Sequence, residues 1–194
     1  NEKYWNNHMA TFKQDASHHA FRNAAQDFQA FQGALVQSTA MKDFDFSGKN
    51  VAILSIDQDS ASLLAAVCDQ AAQVAVFQIH PHFVLPKTER FMQKLIQHPL
   101  VIKNRRLFNN RIKSLLALRF LEDQVKDTWL KHLLTPNTAI QHKVFLKSDH
   151  YYASLQRANC TLVTWPIVKV HSHGIQAING HIYPCDVIVY HGEA

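Results

Sequence analysis

Two short apolar runs separated by one helix-length segment constrain this chain most. Val51-Ala52-Ile53-Leu54-Ser55-Ile56 and Val74-Ala75-Val76-Phe77-Gln78 are nearly continuous in apolar character and bounded by polar residues. That is the pattern of strands buried on both faces. Between them, residues 59–72 set Leu63, Leu64 and Val67 on one helical face, with Asp57 or Asp59 where an N-cap is expected. A strand–helix–strand order implies parallel strands joined by a right-handed crossover. The expected fold class is therefore α/β, a Rossmann-like parallel sheet. Such sheets bind ligands beyond the carboxyl ends of their strands, here at the Ser55–Ser60 turn.

The remaining segments fit around this unit. Residues 87–134 read as a mostly helical insertion, with Leu115, Leu118, Leu121, Val125 and Leu133 as its apolar pattern and Pro136 as its stop. Thr161–Val163, Ile167–Val170 and Ile175–Ile178 read as short strands of a β-meander, with Asn179-Gly180 as a hairpin signal. Val187–Tyr190 reads as a last core strand. Upstream, residues 1–32 contain no Gly or Pro, and Phe21, Ala24, Phe28, Phe31 and Leu35 recur at spacings of three and four. This predicts helix to about Gln32, closed by Gly33. The expected organisation is a helical segment over 1–46, then a Rossmann-like domain over 47–194 with its insertion at about 87–134.

The turn at Ser55–Ser60 decides what the sheet edge can hold. The chain has only five glycines, none spaced as G-x-G, where about fourteen would be average at roughly 7%. An intact G-x-G-x-x-G dinucleotide loop and a G-x-x-x-x-G-K-[ST] phosphate loop are excluded. A diphosphate needs bare backbone N–H groups at a helix N-terminus. Asp57 and Asp59 instead bring side chains and negative charge. Two like charges about 4 Å apart repel by about 4 kcal/mol at an effective dielectric of about 20. The favoured expectation is that one of these carboxylates caps the helix. The alternatives are a cationic ligand or metal at the acidic pair, and conventional dinucleotide binding. Ser55, Asp57, Gln58, Asp59 and Ser60 are the positional candidates for a cofactor contact, and Lys143 is the candidate phosphate contact from elsewhere in the chain.

Other constellations carry less chemistry. Cys68, Cys160 and Cys185 form no disulfide framework and no C-x-x-C knuckle, which makes a reducing cytoplasm the default. No apolar run reaches the roughly 18 residues of a membrane span, and no signal-peptide pattern opens the sequence. His80-Pro81-His82 and His171-Ser172-His173 could each present two imidazoles on one strand face, but nothing nearby in sequence completes a metal site, and none is expected. Lys87, Arg90, Lys94, Lys103, Arg105, Arg106, Arg111, Lys113 and Arg119 face one acid, Glu89, across 87–119. With the net charge of +5, this stretch suits a solvated helix face first and a protein or lipid-surface contact second, ahead of nucleic acid. A protein partner, or self-association, is expected through the N-terminal helices or this basic insertion. No nucleophile–base pair is recognisable, so no catalytic residue is assigned.

From Phe31 onward the chain resembles the NADP-binding lobe of flavin-dependent Baeyer–Villiger and related class B monooxygenases. The residues that carry the likeness are Phe31-x-Gly33, Gly48-Lys49-Asn50-Val51-Ala52-Ile53-Leu54, Val74–Gln78 with Pro81, Val84-Leu85-Pro86-Lys87, Leu134-Thr135-Pro136, Lys143, Ser148-Asp149-x-Tyr151 through Arg157, and Asp186–Tyr190. The resemblance implies a Rossmann-like lobe, with NADP and FAD as the family's cofactors. It also marks departures. The two leading glycines of the family's turn stand as Ser55 and Asp57. The His and Trp that would follow Phe-x-Gly are Gln37 and Met41. The arginine expected on the 2′-phosphate is Ile79, the arginine of a Lys-Arg pair is Val144, and the closing turn reads His191-Gly192-Glu193. The likeness does not extend to a flavin lobe, residues 1–30 reading as helical in its place. The expectation is a monooxygenase-like domain with a degenerate NADP site and no cofactor of its own, a pseudoenzyme acting as a binding or structural module. The alternative is a partial NADPH- and FAD-dependent monooxygenase whose flavin lobe lies elsewhere.

Overall fold

The computed structural model of the chain describes residues 28–87, 110–137, 139 and 143–191. Its centre is a parallel sheet of five strands: β1 (Ala34–Gln37), β2 (Asn50–Ile53), β3 (Gln73–Phe77), β6 (Cys160–Val163) and β10 (Val187–Tyr190), in the order β1-β10-β2-β3-β6. Helix α1 (Gln58–Gln70) makes the crossover from β2 to β3, which pair in register from Asn50↔Gln73 to Ile53↔Val76. The α/β, Rossmann-like reading holds. From β2 the chain steps to β3 and on to β6, then returns to lay β10 on the other side of β2. The order thus reverses between β2 and β10, and that reversal is where such sheets open a crevice.

Alternation along the strands explains the two covered faces. Val51, Ile53, Val74 and Val76 point to one side, where Ala61, Leu64, Val67 and Cys68 of α1 pack on them. Leu64 has no exposed surface, and burying such a side chain stabilises by about 1.5–3 kcal/mol. Ala52, Leu54, Phe77 and Ile188 point to the other side. There they meet Val170, Ile175 and Ala177 of an antiparallel meander built from β7 (Ile167–His171), β8 (Gly174–Ala177) and β9 (Ile182–Pro184). Gly180 turns the β8–β9 hairpin at φ 83°, a conformation that disfavours a side chain.

A smaller parallel pair, β4 (Phe83–Leu85) with β5 (Phe145–Lys147), packs beneath Ile112, Leu116 and Ala117 of helix α2 (Asn110–Gln124). Helix α3 (Thr128–Leu134) follows, capped by Asp127 Oδ1 on the Leu130 N–H at 2.6 Å. The segment around α4 (Tyr151–Leu155) works as an anchor. Asp149 Oδ1 accepts from the Lys87 N–H at 2.7 Å, and Tyr151 Oη donates to Gln78 Oε1 at 2.5 Å. Gln156 Nε2 donates to the Gln124 and Tyr152 carbonyls. Burial of the Tyr151 and Tyr152 rings holds both phenols well above their usual range, so both stay protonated.

Several expectations need correction. Phe28–Ala30 is one 3-10 turn, and residues 34–37 form β1 in parallel register with β10 rather than continuing a helix. Phe28 and Phe31 are buried, but on the sheet's meander side, and Leu35 is 40% exposed on the strand. Gly33 does not close a helix: a Cβ there would run into the Asp186 carbonyl and meet the Phe31 ring at 2.5 Å. The buried face of α2 is Ile112, Leu116, Ala117, Phe120 and Leu121, with Leu115 and Leu118 half-exposed. The remainder of the expected N-terminal helix, residues 1–27, lies outside the described residues, as does most of the basic stretch, residues 88–109. Among the described residues no helix is long and apolar enough to cross a membrane.

Candidate functional site

Three neighbouring strands end on the same edge at the reversal point, and each delivers one polar side chain. Ser38 follows β1, His191 follows β10, and Asp57 closes the turn after β2. They converge on the Asp57 carboxylate. Its Oδ2 accepts from Ser38 Oγ at 2.5 Å and pairs with His191 Nδ1 at 2.7 Å. Its Oδ1 accepts from the Ser60 N–H at 2.8 Å and Ser60 Oγ at 2.7 Å, while the Asp57 N–H meets Ser60 Oγ at 2.9 Å. Asp57 and Ser60 thus form a reciprocal capping box on α1.

The electrostatics follow from those partners. Burial alone would push the Asp57 carboxyl up. The hydrogen bonds from Ser38 and Ser60 and the charge of His191 outweigh it and hold the carboxyl below its ordinary 3.8. The ionised carboxylate also sits on the positive end of the helix dipole. In effect a side chain of this protein occupies the position that an external anion takes at a free helix N-terminus.

A Ser, a His and an Asp in contact invite a nucleophile reading, which the geometry does not support. A relay needs the imidazole between hydroxyl and carboxylate. Here the carboxylate accepts from both, Ser38 Oγ lies 3.4 Å from the same Nδ1 that faces Asp57, and Ser38 is 1% exposed. The cluster holds a turn shut.

The remaining positional candidates are dispersed. Gln58 is clamped to β5: Nε2 donates to the Lys147 carbonyl at 2.9 Å and Oε1 accepts from the Lys147 N–H at 2.9 Å. Asp59 is exposed in the first turn of α1. Ser55 is half-buried, its carbonyl 3.4 Å from Ser60 Oγ. Lys143 precedes β5 at the end away from Gln58, its ammonium 5.6 Å from the Phe83 ring centre. The structure therefore joins Asp57 with Ser60 and leaves Lys143 apart from them. The capping expectation for Asp57 is met. Sequence reading missed Ser38, because β1 gave no strand signal. It missed the role of His191 too, although the Val187–Tyr190 strand could have placed that residue on the ligand edge.

The two H-x-H pairs do not become a metal set. His80 and His82 lie in the loop after β3 rather than on a strand, and His171 Nε2 is 3.1 Å from Gln176 Oε1. No group of three His, Cys, Asp or Glu side chains among the described residues could hold a metal ion. Of the basic stretch, Arg119 pairs with Glu122 at 2.8 Å and Lys113 stands 5.9 Å from the centre of the Phe145 ring. Gly192 and Glu193 of the closing turn lie outside the described residues.

Comparison with known proteins places this geometry. No family model matches the chain. A Baeyer-Villiger monooxygenase of Pseudomonas aeruginosa is 28% identical over 183 residues, which cover 82% of this chain and 35% of that protein. A Baeyer-Villiger monooxygenase of Streptomyces coelicolor is 24% identical over 76% of this chain and 33% of its own length. Among solved structures, an oxidised steroid monooxygenase bound to NADP superposes with a TM-score of 0.66 at 20% identity, over 84% of this chain and 42% of that one. A cyclohexanone-bound cyclohexanone monooxygenase gives 0.69 at 14% identity, over 87% and 44%. These structural likenesses show the fold. The chain spans about a third of the length of the curated relatives it matches, and over that span it is similar to flavin-dependent monooxygenases.

Proposed function

We propose that this chain supplies the NADP-lobe portion of a flavin-dependent monooxygenase, working with a flavin lobe carried on polypeptide beyond this sequence. The supporting observation is the extent of the match: more than four-fifths of this chain aligns with about a third of a Baeyer-Villiger monooxygenase. The parallel sheet, its reversal point and the anchoring of residues 148–157 are consistent with that scaffold.

One observation favours a second reading, in which the lobe has ceased to bind a nucleotide and serves as a binding or structural module. The Asp57 carboxylate takes the Ser60 N–H at the N-terminus of α1. The residues of the turn do not fit a dinucleotide diphosphate: it would have to displace that carboxylate, break the Ser38 and His191 contacts, and tolerate Asp59 nearby.

The two readings separate at Asp57. Thermal melts of the wild-type protein and of Asp57→Gly, each with and without millimolar NADPH, test them. A saturable rise in wild-type Tm supports the working lobe and overturns the silenced one. A rise confined to Asp57→Gly supports the silenced lobe.

A further inference from the structure

Most of the large apolar side chains left exposed among the described residues gather at one end of the meander. Trp165 precedes β7, Val168 sits in the bulge between Ile167 and Lys169, and Ile178 and Ile182 flank the Asn179-Gly180 turn. All four are 49–60% exposed. Leu35, Trp129 and Val144, by contrast, lie singly on β1, on α3 and beside β5. Strand pairing brings the four together. The Ile178 N–H donates to the Pro166 carbonyl at 2.9 Å, which sets the hairpin tip beside Trp165. Ile175 and Ala177 are buried against the sheet, so alternation turns Gln176 and Ile178 outward. Lys169 of β7 and Ile182 of β9 both pair with Gln176, and they share that outer face.

Charge around this patch has one sign. No Asp or Glu stands between Asp149 and Asp186, and the basic side chains of the meander are Lys169, His171, His173 and His181. Apolar side chains scattered singly over a surface are ordinary, whereas a group of them on one face marks an interaction. A protein partner is matched by complementary charges at the rim. A rim with cations and no acid matches a uniformly negative surface instead.

We propose that this end of the meander is a peripheral docking surface for an anionic lipid bilayer. Val168, Ile178 and Ile182 enter the boundary between headgroups and acyl chains, and Lys169 meets lipid phosphates. Trp165 suits the same depth, since its ring is apolar and its one N–H finds an acceptor among the headgroups. Apolar area and attraction to anionic lipid together hold such surfaces on a membrane without spanning it. The backbone of the tip is ready for shallow insertion because its turn closes its own hydrogen bonds. The Gly180 N–H donates to the Ala177 carbonyl at 2.9 Å, and the Ala177 N–H to the His181 carbonyl at 3.0 Å. The inference is independent of whether the lobe binds a nucleotide.

Co-sedimentation of the full chain with vesicles tests this, using phosphatidylcholine alone and phosphatidylcholine mixed with phosphatidylserine. The protein should pellet with the mixed vesicles and several-fold less with the neutral ones, and molar sodium chloride should narrow that difference. With Trp5→Phe and Trp129→Phe combined, Trp165 is the remaining tryptophan, and its emission should shift to the blue when mixed vesicles are added. Ile178→Asp, at an exposed position, should abolish pelleting with Tm unchanged. Lys169→Gln should weaken binding about fivefold. Trp129→Ser, on α3, should pellet like wild type. Failure to pellet with mixed vesicles, equal pelleting of Ile178→Asp, or no preference for the anionic lipid would each overturn the proposal. So would a dimer in vesicle-free sedimentation that Ile178→Asp dissociates, because the face would then belong to a second copy of the chain.

Discussion

The two ends of α1 solve the same problem by different means. A helix leaves backbone N–H groups unpaired at its start and carbonyls at its end. At the start, the partner is a charge: the Asp57 carboxylate, itself held by Ser38, His191 and Ser60. At the end, the partner is a neutral amide, Asn159 Nδ2 on the carbonyls of Cys68 and Ala71, with the exposed Arg157–Asp69 pair beside it. The C-terminal arrangement closes a helix in any context. The N-terminal one lies at the sheet's reversal point, where α/β folds place ligands. There the polar contacts of three strand ends concentrate on one carboxylate.

The comparison breaks first at Asp57. Asp57→Ala removes the cap and leaves the Ser38 hydroxyl, a group only 1% exposed, with only the longer 3.4 Å contact to His191 Nδ1. Loss of a cap and of the better partner of a buried hydroxyl together cost about 2–3 kcal/mol. For a chain of 194 residues, that lowers Tm by roughly 4–12 °C at about 2–4 °C per kcal/mol. Urea titration with an unchanged m-value should give the same ranking. Asn159→Ala should cost less, about 1–2 kcal/mol, because two carbonyls lose one shared donor and the end of the helix keeps the Ala71 N–H bond to the Val67 carbonyl. If Asn159→Ala proves the more damaging, the charge at the N-terminus is not the dominant cap.

Acid sharpens the same contrast. The Asp57 carboxyl is held below 3.8 in the folded protein, so the unfolded chain takes up this proton first as pH falls. Its contribution is full above the unfolded value and drains away as pH drops through the lower, folded one. Asp57→Asn keeps an acceptor oxygen but has no proton to bind. Its stability curve should therefore lie below wild type at neutral pH and converge with it on the acid side. Asn159→Ala should run parallel to wild type throughout. Denaturant midpoints measured across the acid range distinguish the two shapes.

Much of this frame was readable because it rests on burial and period. Val51–Ile53, Val74–Phe77 and Val187–Tyr190 lie inside the sheet and so carry continuous apolar runs. The cap was readable too, since Asp57 stands at the entry of an amphipathic run. What stayed hidden had no local signature. β1, β4 and β5 are three or four residues long, and only their pairing identifies them. Phe28 and Phe31 mimic a helical stripe, yet they flank the meander because Gly33 lets the chain turn tightly past Asp186. Ser38, Asp57 and His191 come from distant parts of the chain, and spacing alone cannot bring them together.

The smallest effect lies in the exposed ion pair at the C-terminal end. Arg157 and Asp69 meet at 2.5 Å, but their side chains are 37% and 64% exposed, and water screens the attraction. Exposed pairs of this kind contribute roughly 0.2–1 kcal/mol and lose most of it in salt. Asp69→Asn should lower the unfolding free energy by under about 0.5 kcal/mol in low salt, after allowance for that screening, and by nothing measurable in molar sodium chloride. Arg157 would keep its bond to the Ala65 carbonyl, so the loop should stay in place. A large, salt-insensitive loss in Asp69→Asn would mean that charge governs both ends of α1, and the contrast between them would fall.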